Sequence, residues 1–183
     1  MTRFSQYLAV LASTNKLTSG IQWLFYPGML SESTLKWWGD FGTRAAAHEG
    51  IDITFYRTLD HQMHHLAAGA CVPAWSAGTV INVCEDFLGQ SLVVAVAGYP
   101  SAPTRMLEVF SHLTPSRGIA PGTPVGPGQV IARLADTRAR GSALLPHLHL
   151  SCIEVDARIP AHVLNWSFFP VRENLTMINP VFA

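Results

Sequence analysis

Two short clusters contain the residue types that bind a catalytic metal ion. The first is His48-Glu-Gly-Ile-Asp52, and the second is His147-Leu-His149. Residues two apart on a β-strand point to the same face of a sheet, so His147 and His149 are expected to project together. Two imidazoles and one carboxylate bind zinc and leave a fourth position open for water, which the metal acidifies. The clusters therefore predict a hydrolytic zinc site.

The spacing of His48 and Asp52 requires the backbone to bend between them. On a straight strand, residues four apart are separated by roughly 13 Å, whereas each ligand of one zinc ion must lie within about 2 Å of it. Gly50 stands midway and can adopt a bulge or a positive φ. A helix would also align the two residues, but Gly50 and the β-branched residues around it disfavour a helix. We therefore expect a bulged strand here.

Short β-branched segments separated by glycine and proline dominate the chain after residue 50. Their spacing predicts a mostly β fold, an antiparallel sheet or sandwich with a substrate groove. Before them, Ser31 or Ser33 can cap one short N-terminal helix that carries Trp37 and Trp38. The predicted strands are Ile51 to Tyr56, Gly78 to Cys84, Ser91 to Ala97, Met106 to His112, Gln129 to Leu134 and Leu148 to Val155.

The chain is predicted to form one domain, because no linker rich in serine, glycine or charge divides its 183 residues. Within residues 1–183 we expect an N-terminal extension at 1–40, a core at 41–160 and a C-terminal covering segment at 161–183. The tail is aromatic, and its apolar side chains are costly to leave in water. It is therefore expected to cover the sheet.

Composition excludes several classes of partner. Lys plus Arg and Asp plus Glu are both 12, so the chain lacks the basic excess that a nucleic-acid groove needs. Charged residues make up only 13%, which favours a neutral or weakly polar substrate or a buried oligomer interface. The apolar segments Ile21 to Leu30 and Leu92 to Ala97 are shorter than the roughly 18 residues of a transmembrane helix. No convincing signal peptide is predicted, because the apolar run Tyr7 to Ala12 is too brief.

A series of motifs between Arg44 and Val155 follows a recognisable order. They are His48-x-Gly-x-Asp-Ile53, Val72-Pro-Ala, Gly78-Thr-Val, Phe110-Ser-His112-Leu, the glycine- and proline-rich Gly122 to Ile131, and Pro146-His-Leu-His149. Together they resemble the LytM/lysostaphin-type zinc metallopeptidases, peptidoglycan endopeptidases with the duplicated hybrid motif fold.

The resemblance implies a complete set of site residues. Carried over position by position, it implies one zinc ion held by His48, Asp52 and His149, with His112 and His147 as catalytic histidines that do not bind the metal. It also implies a zinc metalloendopeptidase that hydrolyses peptide bonds of bacterial peptidoglycan, in the periplasm or outside the cell. The spacing of the residues alone predicts only a metal hydrolase.

The chain departs from the family pattern beside the last motif. Leu145 stands where the family usually has Gly, and Leu150 and Ser151 stand where it has Phe and Glu. These departures are expected to line the groove. An alternative function is a non-catalytic LytM-like module that recruits or activates cell-wall hydrolases, and a third is a structural zinc domain.

Overall fold

The computed structural model describes residues 2–17, 20–99 and 103–183, in which one α-helix and twelve β-strands occur. Among the described residues there is no helix with the length and hydropathy of a membrane span. The elements are α1 (Arg3–Thr14), β1 (Gln22–Trp23), β2 (Ile51–Ile53), β3 (Phe55–Arg57), β4 (Met63–His65), β5 (Cys71–Pro73), β6 (Gly78–Glu85), β7 (Gln90–Val96), β8 (Thr104–Pro115), β9 (Pro124–Val125), β10 (Val130–Leu134), β11 (Leu148–Asp156) and β12 (Leu175–Ile178). Short 3-10 helices lie at Pro27–Met29, Arg138–Arg140, Ala161–Val163, Arg172–Asn174 and Pro180–Phe182.

Nine of these strands form one sheet, whose main path runs β12-β11-β8-β7-β6-β9. In addition, β2 pairs with β11, and β10 pairs with both β5 and β8. A separate sheet has the order β1-β3-β4. The pairings are antiparallel throughout the described ranges. The predicted mostly β, antiparallel fold is confirmed.

Two hydrophobic clusters cover the two faces of the large sheet. On one face, Phe110 and Leu150 pack with α1, whose residues Tyr7 and Leu11 are buried at helical spacing. On the other face, side chains of β7, β8 and β11 are covered by the C-terminal segment. His149 projects on this second face, because side chains alternate along β11. The C-terminal segment and His149 therefore share one side of the sheet.

The N-terminal helix lies elsewhere than predicted. It spans Arg3–Thr14, and the Thr2 side chain accepts a hydrogen bond from the Ser5 backbone N–H as its N-cap. No helix begins at Ser31 or Ser33. The backbone there includes Glu32 at φ 64°, a left-handed conformation that does not continue a right-handed helix.

Phe169 tests how firmly the C-terminal segment is packed. Its side chain is fully buried, so we expect Phe169→Ala to lower the free energy of unfolding by about 3–5 kcal/mol through lost contacts and a cavity. Urea denaturation measures this change. Phe182→Ala is the matched control, because Phe182 is 83% exposed, and its effect should stay within about 0.5 kcal/mol. Equal effects of the two substitutions would contradict this packing.

Candidate metal centre

Strand pairing brings the predicted metal ligands together. The register of β2 with β11 sets Asp52 directly opposite His149, and His48 lies in the bend just before β2. His48 Nε2 is 3.1 Å from Asp52 Oδ1 and 3.0 Å from His149 Nδ1, and the last two atoms are 2.9 Å apart. All three side chains are buried. Within the described ranges, this is the one group of three or more such side chains that could hold a metal ion.

The donor set fits a zinc ion. Two ring nitrogens and one carboxylate oxygen match a ligand set of catalytic zinc sites. Ligand atoms about 2.0–2.1 Å from a tetrahedral ion lie roughly 3.3 Å from one another, close to the observed triangle. Burial alone would raise the pKa of Asp52, but the charges of His48 and His147 outweigh burial and hold this pKa well below its usual value. The carboxylate is therefore ionised, as a metal ligand must be.

Both ligand histidines are oriented through their second ring nitrogen. His48 Nδ1 lies 3.1 Å from the carbonyl oxygen of Leu30, which can only accept, so Nδ1 carries the proton and Nε2 presents a lone pair to the cluster. His149 Nε2 lies 2.9 Å from Ser151 Oγ, which leaves Nδ1 facing the cluster. His48 Nε2 and His149 Nδ1 thus face one point beside Asp52 Oδ1.

The orientation of the Asp52 carboxylate depends on residues that the sequence analysis missed. Trp37 donates its indole N–H to Asp52 Oδ2 at 2.6 Å, and the Arg44 guanidinium lies 3.5 Å from the same oxygen. Arg44 in turn stacks on Trp38, with 4.5 Å between its Cζ and the ring centre. These contacts leave Oδ1 to face the histidines. No local sequence pattern links Trp37 to Asp52.

The bend between His48 and Asp52 differs from the predicted bulged strand. The strand begins only after Gly50, and Gly50 does not have a positive φ. A Cβ atom at Gly50 would lie 2.3 Å from the carbonyl oxygen of Leu150, so glycine is required by the close approach of this bend to β11. The His48 backbone instead bonds to the preceding segment, through its N–H and the Ser33 carbonyl at 3.0 Å.

His147 lies just outside the ligand triangle. Its Nδ1–H donates to the Leu145 carbonyl at 2.8 Å, and its Nε2 is 3.8 Å from Asp52 Oδ1. Burial is the largest cause that lowers the pKa of His147 to about 4. Its ring centre lies 4.7 Å from that of His112. The structure therefore brings the two predicted catalytic histidines together beside the ligands.

His112 is held by a second carboxylate that the sequence analysis also missed. Its φ is 66°, a left-handed conformation that costs roughly 1–3 kcal/mol for a residue with a side chain. His112 Nδ1 lies 2.9 Å from Asp86 Oδ1, and the backbone N–H of His112 donates to Asp86 Oδ2 at 2.9 Å. Ser91 also donates to Oδ2, and its own oxygen accepts the indole N–H of Trp166.

The ligand triangle opens into a cleft of about 70 Å³. Trp166, from the C-terminal segment, forms part of its wall and lies 5.5 Å from the His149 ring. Phe87 is 71% exposed beside the cleft and contacts the His112 ring edge-on. The cleft is lined by Trp38, Arg44, His48, Glu49, Asp52, Phe87, His112, Leu144, His147, His149 and Trp166.

None of the three departures from the family pattern lines the cleft, so that prediction is wrong. Leu150 is fully buried in the core on the opposite face of β11. Ser151 is buried and contacts the ring of His149. Leu145 acts through its backbone, because its carbonyl oxygen orients His147. Ser151 and the Leu145 carbonyl therefore support site histidines, whereas Leu150 belongs to the core.

Comparison with known proteins gives similarity to solved structures only. No family model and no curated protein matches the chain. The solution structure of lysostaphin is 17% identical with a TM-score of 0.48, over 80% of this chain and 46% of that one. A mutant catalytic domain of the prophage-encoded M23 protein EnpA from Enterococcus faecalis is 17% identical with a TM-score of 0.46, over 86% and 92% of the two chains. The chain thus spans about half of the lysostaphin chain.

Trp37 allows a test of how the carboxylate ligand is supported. Trp37→Phe keeps the aromatic ring but removes the N–H donated to Asp52, so we expect zinc affinity to fall roughly 10- to 100-fold. Competition with a chromophoric chelator measures it. Trp23→Phe is the matched control, because the Trp23 ring packs on Tyr56 in the small sheet, and zinc affinity should not change. Unchanged affinity in Trp37→Phe would contradict the role given to the indole.

Proposed function

We propose that this chain is a zinc-dependent peptidase of the LytM/lysostaphin type that hydrolyses peptide bonds in bacterial peptidoglycan, outside the cytoplasm. The observation that carries the proposal is the triangle of His48 Nε2, Asp52 Oδ1 and His149 Nδ1, with separations of 2.9 to 3.1 Å, beside two histidines that are not part of it. A structural zinc site is closed by four protein ligands. Three ligands next to a cleft favour catalysis.

His48, Asp52 and His149 would hold the ion, and a bound zinc ion supplies an acidified water molecule and polarises the scissile carbonyl group. His147 is suited to accept a proton at Nε2. Its Nδ1–H donates to the Leu145 carbonyl, so Nε2 keeps its lone pair when the ring is neutral.

Hydrolysis of a peptide bond requires one proton to leave the attacking water and one to reach the leaving amine nitrogen. His112 and His147 face each other with ring centres 4.7 Å apart, so these two transfers can use separate imidazoles. Trp166, Phe87 and Leu144 limit the access of bulk water to the rings. Exclusion of water strengthens the electrostatic interactions inside the cleft.

The proposed substrate class rests on the side chains that line the cleft and on the family resemblance. Apart from the site histidines and Asp52, the cleft lining contains only two ionisable side chains, Arg44 and Glu49. Its remaining wall is aromatic and aliphatic, which suits an uncharged peptide segment. The choice of peptidoglycan peptides rests on the sequence motifs that resemble the LytM/lysostaphin peptidases.

A second function is favoured by the size of the cleft. A volume of about 70 Å³ is small beside the roughly 300–1,000 Å³ of ordinary ligand pockets. A non-catalytic module of the same family, which recruits or activates cell-wall hydrolases, needs no access of substrate to the metal. The two functions differ in whether peptides are released.

Metal analysis combined with digestion of isolated peptidoglycan tests the proposed function. We expect the wild type to bind one zinc ion and to release peptides, and Asp52→Ala to lose both properties. His147→Ala should keep its zinc and lose activity by roughly 10²- to 10⁴-fold, because a proton-transfer group is removed without a ligand. Released amino groups and mass spectrometry of the products give the measurements.

The outcomes separate the candidate functions. If the wild type does not bind zinc in a stoichiometric amount, the proposed zinc-dependent function is contradicted. Stoichiometric zinc without release of peptides from any wall type would contradict the peptidase and favour the binding module. Treatment with a chelator should abolish hydrolysis, and added zinc should restore it.

A further inference from the structure

Asp86 is a buried carboxylate in the turn between β6 and β7, and its side chain is 1% exposed. Its Oδ1 accepts hydrogen bonds from the backbone N–H groups of Leu88 and Gly89 at 2.9 and 2.8 Å. These two bonds close the turn. Formation of the turn alone would not require a third or fourth bond to another strand.

Two additional bonds join Asp86 to His112 on β8. The backbone N–H of His112 donates to Oδ2, and the ring nitrogen Nδ1 lies 2.9 Å from Oδ1. Burial alone would raise the pKa of Asp86, but the bonds from His112 outweigh it and hold this pKa well below its usual value. An ionised carboxylate can only accept hydrogen bonds, so His112 Nδ1 must carry a proton.

Ser91 and Trp166 complete the surroundings of the carboxylate. The Trp166 indole N–H donates to Ser91 Oγ at 2.8 Å, which directs the Ser91 hydroxyl proton to Asp86 Oδ2, also 2.8 Å away. Every group that contacts the carboxylate is therefore a donor. These bonds fix the position of Asp86 from its own turn, from β7 and β8, and, through Ser91, from the C-terminal segment.

We propose that Asp86 is the positioning residue of His112, holding its imidazole as the Nδ1–H tautomer so that Nε2 remains free for proton transfer in the cleft. The inference rests on the peptidase function proposed for this site. A carboxylate behind a catalytic imidazole has this purpose in hydrolytic triads. The left-handed backbone at His112 places the ring over the cleft, and Asp86 fixes the rotation of that ring.

A comparison of Asp86→Ala with Glu85→Ala tests this role. Glu85 is the adjacent carboxylate, with 66% of its side chain exposed, and is therefore the matched control. Long-range ¹H–¹⁵N spectra of ¹⁵N-histidine-labelled protein report the tautomer of His112, which is assigned with His112→Gln. Peptide hydrolysis gives kcat and KM, and metal analysis gives the zinc content.

We expect wild type and Glu85→Ala to share the Nδ1–H tautomer and the same kcat. Asp86→Ala should lose the single tautomer, and its kcat should fall roughly 100-fold or more with little change in KM or zinc content. Asp86→Asn retains an amide oxygen that can accept the Nδ1–H, so it should keep the tautomer and recover part of the lost rate. If Asp86 only stabilised the turn, Asp86→Ala would change neither the His112 tautomer nor the ratio of kcat to KM.

The Nε2–H tautomer in the wild type would overturn the inference, and so would full kcat in Asp86→Ala. If Asp86→Ala does not fold, the wild-type spectrum and Asp86→Asn still decide the question. If the wild type hydrolyses no peptide, the proposed function fails, while the tautomer spectra separately report whether Asp86 positions His112.

Discussion

The antiparallel pairing of β2 with β11 is the constraint on which the site depends, because it sets Asp52 opposite His149. Facing residues of such a pair have Cβ atoms roughly 4.5–5.5 Å apart, within reach of one shared ion. A slip of one residue would turn one side chain to the other face of the sheet. Leu148 and Leu150 are fully buried on that other face, so the core itself enforces the register.

Both ends of the chain contribute to this site. Trp37 and Arg44 contact the Asp52 carboxylate from the N-terminal side, and Trp166 reaches the site from the C-terminal segment. A buried carboxylate is stable only with donors and opposite charge around it. A fragment limited to the predicted core at 41–160 would lack both tryptophans. Residues on both sides of the predicted core therefore contribute to the site.

The sequence allowed prediction of the features that depend on local patterns. The strands β6, β7, β8, β10 and β11 and the site cluster that includes His149 follow from alternation, spacing and motif order. The predicted strand Ile51 to Tyr56 is instead divided into β2 and β3, which lie in different sheets. The position of α1 also follows a local pattern, because Thr2 caps an apolar periodicity that reaches Leu11. The prediction of a helix at Ser31 or Ser33 is wrong, because Glu32 has a left-handed backbone. The contact of Asp86 with His112 spans 26 residues and exists only through the pairing of β7 with β8. No local pattern could predict it.

His48 and His149 approach to 3.0 Å although they stand 101 residues apart in the chain. An ion shared by both would act as a removable cross-link across more than half of the molecule. In an unfolded chain, closing a loop of this length by a covalent link lowers the conformational entropy by the equivalent of about 4.7 kcal/mol. The long separation of His48 and His149 in the chain therefore couples metal binding to the folding equilibrium. Loss of the ion would lower the free energy of unfolding as well as remove the metal from the site.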